Sequence, residues 1–146
     1  MTREDPTGFL SGTLDLMCSK LREDETAVGI GFPYVTAPDG SWRTMMACES
    51  ASYTGEAWSH GNWFCGFWVG LLAAAHEYCG EPDFLKLALE RMRLVAQRAD
   101  DPNTHDIGFI FWSSARILHR LTGDDEMGAM ALRAAGRLRA RLITTR

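Results

Sequence analysis

Asn103-Thr104-His105-Asp106-Ile107-Gly108-Phe109 sets an imidazole beside a carboxylate, directly before an apolar run that extends to Leu118. A parallel stretch, Trp63-Phe64-Cys65-Gly66-Phe67-Trp68, opens another apolar run with the same Gly-Phe step 42 residues earlier. The turn after each run repeats as well: Cys79-Gly80-Glu81 recurs as Thr122-Gly123-Asp124, 43 residues on. A self-similar helical hairpin of this period signals an αα repeat, either a solenoid or a closed α/α toroid. The offset also places Trp63 and Asp106 at corresponding points of two repeats.

The rest of the chain fits an all-α reading. Helices are expected at about residues 7–22, 64–79, 82–99, 107–121 and 124–142, in one partial toroid domain. In the first, Leu10, Leu14, Met17 and Leu21 recur at helical spacing, so one face should pack and the other stay wet. The helices opened by Phe64 and Ile107 are apolar almost all round, as befits the inner helices of a larger structure. Those at 82–99 and 124–142 are one-sided, as befits outer ones. Gly80 suits a helix C-terminus, and Pro82 the first turn of the next helix. Residues 23–62 read as a long loop, rich in glycine and carrying Trp42, Tyr53 and Trp58; its aromatics argue for docking rather than disorder. Two and a half hairpins cannot close a toroid.

Composition excludes several classes. A net charge of −4 argues against nucleic acid as the main partner. No run approaches the roughly 18 apolar residues of a membrane span, and the mixed-charge N-terminus lacks an apolar signal core. The four cysteines, widely spaced and without a Cys-x-x-Cys pair, read as free thiols of a cytoplasmic protein.

Three residues are candidates for chemistry. Asp106 is either a helix N-cap or a carboxylate lining a cleft where inner-helix starts converge. His105 either lies idle in its loop or positions Asp106 and an acidic ligand. Trp63 either packs in the core or offers its face to a sugar ring. His60, His76, His105 and His119 have no ligand spacing, so no metal is expected, and nothing calls for a cofactor. Ser113-Ser114 lies within an expected helix, without a nucleophile elbow. The arginines Arg133, Arg137, Arg139 and Arg141 follow Asp124-Asp125-Glu126 on one helix, an order that complements the helix dipole.

With these residues in view, the chain resembles glycoside hydrolase family 88, the unsaturated glucuronyl hydrolases. The resemblance rests on Trp63-x-x-Gly66-Phe67-Trp68-x-Gly70, on Glu77-Tyr78 before the Gly80 turn, and on His105-Asp106-Ile107-Gly108-Phe109. Phe32-Pro33-Tyr34-Val35 and the Ala134-Ala135 step, with Leu138 and Arg141 after it, add to it. It implies an (α/α)6 barrel, of which this chain holds an incomplete part, since six hairpins need on the order of 350 residues. It implies release of an unsaturated glucuronic acid from lyase-generated oligosaccharides by hydration of the C4–C5 double bond. It makes Asp106 the first of two essential aspartates, His105 its substrate-contacting neighbour and Trp63 a stacking residue. Cys65 stands where a polar residue is expected, and the second aspartate lies beyond the chain. An N-terminal fragment, weak or inactive alone, is therefore the expectation, with self-association through exposed inner helices. A HEAT-like protein-binding solenoid and a non-catalytic carbohydrate binder are the alternatives.

Overall fold

Helix α2 (Phe64–Cys79) is the hub: it packs against every neighbouring element that the repeat pattern brings near it. The computed structural model describes residues 6–49, 61–102 and 104–141. Tyr53, Trp58, His60, Asn103 and Leu142, all weighed in the sequence, lie outside these described residues. The chain runs α1 (Pro6–Val28), β1 (Phe32–Thr36), β2 (Trp42–Met45), α2, α3 (Pro82–Val95), a 3-10 turn (Ala96–Asp100), α4 (Ile107–Trp112), α5 (Ala115–Thr122) and α6 (Asp125–Ala140).

The repeat is visible in three dimensions. α2 and α3 form one hairpin; α4, α5 and α6 form the next. Both hairpin turns are closed alike. Gly80 and Gly123 adopt φ of 74° and 71°, a conformation that favours glycine, and donate their N–H to the carbonyls of His76 and His119. Each histidine then reaches over its turn, with Nδ1 2.8 Å from the carbonyl oxygen of Glu81 or Asp124. Pro82 opens α3, and the Asp124 carboxylate accepts from the Glu126 N–H at 2.8 Å to cap α6.

Two glycines join the repeats. A Cβ on Gly66 would lie 2.3 Å from the Ile110 carbonyl oxygen and 2.4 Å from its Cα; one on Gly70 would lie 2.3 Å from the Ser113 oxygen. Helix α2 therefore crosses α4 backbone against backbone, which no side chain at 66 or 70 permits. Around this crossing Val69, Leu72, Met92, Ile110, Phe111, Leu118 and Met130 form the core.

Three expectations need correction. Helix α1 does not end near Arg22 but continues to Val28, because Glu25 faces inward: its carboxylate accepts from Trp68 Nε1 at 2.7 Å and from Arg91 Nε at 2.7 Å. Arg91 also donates to the carbonyls of Gly29 and Gly31, so a buried ion pair ties α1 to α2 and α3. The segment called a long loop at 23–62 thus begins as helix, and goes on as an antiparallel hairpin pairing Phe32 with Met45 and Thr36 with Trp42. Phe32 is buried and Trp42 packs on the core, so Trp42 docks as expected, while Tyr53 and Trp58 lie outside the described residues. Third, the expected continuous helix at 107–121 breaks at Ser113-Ser114. Both hydroxyls donate to carbonyls four residues back, Phe109 and Ile110, taking acceptors from the helix ladder where Gly70 presses on it.

The inner helices are covered on one side only. Phe67, Leu71, Phe109 and Trp112 are exposed, Trp112 at 70%. On α1 only Leu21 of the expected packing stripe is buried. Leu14 and Met17 instead line an open apolar groove of about 530 Å³ with Phe67, Leu71, Tyr34 and Trp42.

Gly66→Ala and Gly108→Ala occupy equivalent repeat positions but should behave oppositely. The first forces the α2–α4 crossing apart and should cost about 1–3 kcal/mol or more in urea denaturation. Gly108 would meet only Leu138 Cδ2, at an ordinary 3.6 Å, so its alanine should be neutral or stabilising by about 0.5 kcal/mol.

Candidate active site

The crossing brings the starts of α2 and α4 together. Trp63, half-buried, stacks on Phe64 with ring centroids 3.9 Å apart and meets the Phe67 ring edge-on at 5.7 Å. Its third aromatic neighbour is Phe109, at 5.8 Å, one turn after Asp106. Trp63 is therefore neither lost in the core nor separated from the Asp106 helix, whose Phe109 it meets at the edge where α2 and α4 begin.

Asp106 occupies the N-cap position of α4, yet its side chain makes no capping hydrogen bond. Its carboxylate, 23% exposed, lies 3.3 Å from Nε2 of His105, whose own side chain is 82% exposed. The backbone here is held by Thr104, buried, whose hydroxyl oxygen accepts from the Asp106 N–H at 3.0 Å. The carboxylate is thus turned toward solvent and the imidazole rather than spent on its helix. The other acidic side chains of this connector have partners: Asp101 takes Arg98 at 3.0 Å, and Asp100 faces Arg137 at 3.6 Å and Arg133 at 3.9 Å. The α6 arginines so serve the connector, and Arg141 donates to the Pro102 carbonyl at 2.7 Å.

On the α2 side Trp63 holds the N-cap position, and Asn62 before it braces the helix start. The Asn62 side-chain oxygen Oδ1 accepts from the Phe64 N–H at 2.9 Å, and its backbone N–H donates to the Ala47 carbonyl at 3.1 Å. Cys65 is buried, its thiol donating to the Asn62 carbonyl at 2.8 Å. The unexpected cysteine therefore sits beneath the rim and leaves the exposed surface unchanged. All four cysteines are free. Among the described residues no group of three or more His, Cys, Asp or Glu could hold a metal, and no helix is long and apolar enough to cross a membrane.

Sequence comparison identifies what this chain resembles. An unsaturated chondroitin disaccharide hydrolase of Streptococcus pneumoniae is 30% identical over 80 residues, 53% of this chain and 20% of the relative. An unsaturated glucuronyl hydrolase of a Bacillus strain is 31% identical over 77 residues, 51% of this chain and 20% of the relative. The relatives are unsaturated glucuronyl hydrolases. Solved structures of such hydrolases share the fold: one specific for heparin superposes with a TM-score of 0.76 at 22% identity, over 92% of this chain and 33% of its own. A mutant hydrolase of Streptococcus agalactiae, complexed with dGlcA-GalNAc6S, gives 0.67 at 20% identity over 97% of this chain and 38% of its own. The αα hairpins are thus part of the α/α barrel of these hydrolases, and the chain spans about a fifth of the length of the curated relatives it matches. No protein-family model matches it.

The sequence singled out Trp63, His105 and Asp106; it gave no part to Asn62 or Arg98, and Thr104 and Phe109 entered only as members of the quoted motif. The Arg98-x-x-Asp101 spacing at a helix end was the available signal for Arg98.

Cys65 yields a pH prediction. Burial pushes its thiol up to about 12, from an ordinary 9.0, although nearby Arg98 pulls the other way. The unfolded chain then loses this proton from about pH 9, and the folded chain only near pH 12. The stability this thiol contributes is complete below pH 9 and is lost as pH rises toward 12. Urea midpoints measured at about pH 8 and about pH 10.5 should fall less in Cys65→Ala than in the wild type.

Proposed function

We propose that this chain contributes the uronate-binding rim of an unsaturated glucuronyl hydrolase, acting on oligosaccharides whose non-reducing uronate carries a C4–C5 double bond. The observation that supports the reading is the contact of Trp63 with Phe109, one turn after the uncapped, His105-paired Asp106, on a hydrolase-type α/α scaffold. The Trp63 indole offers an aromatic face for the apolar face of the sugar. His105, with its imidazole in solvent, is placed to donate to the uronate or its hydroxyls.

In the proposed reaction a proton is added at C4 of the enol ether, and positive charge develops at C5. The Asp106 carboxylate stabilises that charge. Water adds at C5, its proton passes to a base, and the resulting hemiketal opens to release the neighbouring sugar. Protonating C4 calls for a carboxylic acid that the rim does not show among the described residues, since Asp100 and Asp101 are engaged by arginines. The 146-residue chain by itself should bind such a sugar weakly and turn it over slowly or not at all. The HEAT-like reading gives no reason for Trp63 to lie against the helix that Asp106 opens.

Calorimetric titration with an unsaturated uronyl disaccharide and its saturated counterpart tests this proposal. The unsaturated sugar should bind more tightly, and Trp63→Ala and Asp106→Asn should each weaken it. Equal affinity for both sugars favours a plain carbohydrate binder, and no binding of either contradicts the reading. The uncovered Phe67, Leu71, Phe109 and Trp112 lead to a second expectation, self-association of the isolated chain. Light scattering should show an apparent mass that grows with concentration. A constant monomer mass at high concentration contradicts it.

A further inference from the structure

Beneath the rim lies a charged side chain to which the proposed chemistry assigns no part. Arg98 is 2% exposed and sits in the 3-10 turn that follows α3. One guanidinium nitrogen, Nη1, donates to the carbonyl of Ala47 and lies 3.4 Å from that of Asn62. The Nε donates to the Asp101 carboxylate at 3.0 Å. These partners belong to different parts of the rim. Asn62 precedes Trp63 and bonds the Phe64 N–H at the start of α2, whereas Asp101 opens the connector that leads to His105, Asp106 and α4.

Both sides are fitted closely to this one group. Gly61 has a φ of +83°, and a Cβ there would lie 2.3 Å from Nη1 of Arg98, so the turn before Trp63 is folded directly onto the guanidinium. The connector is held at Asp101 by Arg98 and at Pro102 by Arg141, and Thr104 is buried. A planar guanidinium can address carbonyls on one edge and a carboxylate on another at the same time. A lysine ammonium on a flexible stem cannot hold that geometry. Burying the charge is tolerated because Asp101 and the two carbonyls satisfy it.

We infer that Arg98 is a positioning residue that couples the Trp63 turn to the His105–Asp106 connector and so sets the spacing of the rim. The functional weight of this coupling rests on the proposed uronate-binding role of the rim; the coupling itself does not. Among the described residues, Arg98 reaches the Trp63 turn through the Asn62 and Ala47 carbonyls and the connector through Asp101.

The test uses the ligand-free chain and two variants, Arg98→Lys and Asp101→Asn, read by NMR at the Trp63 indole N–H and the His105 ring. The His119 ring, in the far hairpin turn, serves as the internal reference. Both rim signals should move in Arg98→Lys while His119 stays in place. A change in stability alone does not produce that pattern in the folded state. Signals at Trp63 and His105 that move no more than those of His119 overturn the inference. Should Arg98→Lys fail to fold, Asp101→Asn decides. Movement at Trp63, joined to position 101 in this network through Arg98, supports the coupling; movement confined to His105 overturns it. In a parallel titration, Arg98→Lys should bind the unsaturated uronyl disaccharide about tenfold more weakly than the wild type. A wild-type chain that binds no such sugar removes the functional reading and leaves the NMR shifts to judge Arg98.

Discussion

The contact on which the rest of the structure depends is the approach of two helix backbones at Gly66 and Gly70. Helix α2 lies so near α4 that the Ile110 and Ser113 carbonyls occupy the space of two absent side chains. The crossing pulls the starts of both helices to one edge and so brings Phe109 against Trp63. It also explains why α4 stops early. Pressed by Gly70 and bonded back by the Ser113 and Ser114 hydroxyls, the inner helix breaks into two short segments. Packing decides the local structure here, and the local structure decides where the Asp106 carboxylate stands.

Two buried arginines then hold parts that hydrophobic packing alone leaves loose. Arg91 ties the end of α1 and the start of the β-hairpin to α3 through Glu25, Gly29 and Gly31. Arg98 does the same for the two loops at the rim. Each is satisfied by a carboxylate and backbone carbonyls, the condition under which a buried charge is tolerated. Loops normally carry function on a rigid scaffold. In this protein the rigidity extends into the loops, since Thr104, Asn62 and Arg98 leave the backbone around Asp106 and Trp63 few alternatives.

The hairpin repeat, both turn glycines, the Pro82 start, the Asp124 cap and the pairing of Trp63 with the Asp106 helix were legible in the sequence. Each follows from local chemistry or from a period that can be counted. What was illegible depends on contacts distant in sequence. Glu23, Asp24 and Glu25 look like the end of an amphipathic helix, and only Arg91, 66 positions on, reveals that Glu25 faces inward. Leu10, Leu14 and Met17 read as a packing stripe, but Leu10 is exposed and the groove that Leu14 and Met17 line stays open. Asp106 carries a strong capping signal, yet its side chain makes no capping bond and its carboxylate lies beside His105 instead. That last departure from a local rule is where the proposed function is placed, as expected when a residue is held for chemistry rather than for its helix.

The account's central claim is that Trp63, His105 and Asp106 form one sugar-facing rim. The most direct measurement is a side-chain and amide NMR shift map of the chain titrated with an unsaturated uronyl disaccharide. The account predicts saturable shifts clustered at Trp63, His105 and Asp106, with Phe109 following them. Shifts centred instead on the apolar groove of Leu14, Met17 and Leu71, or spread without a focus, contradict it.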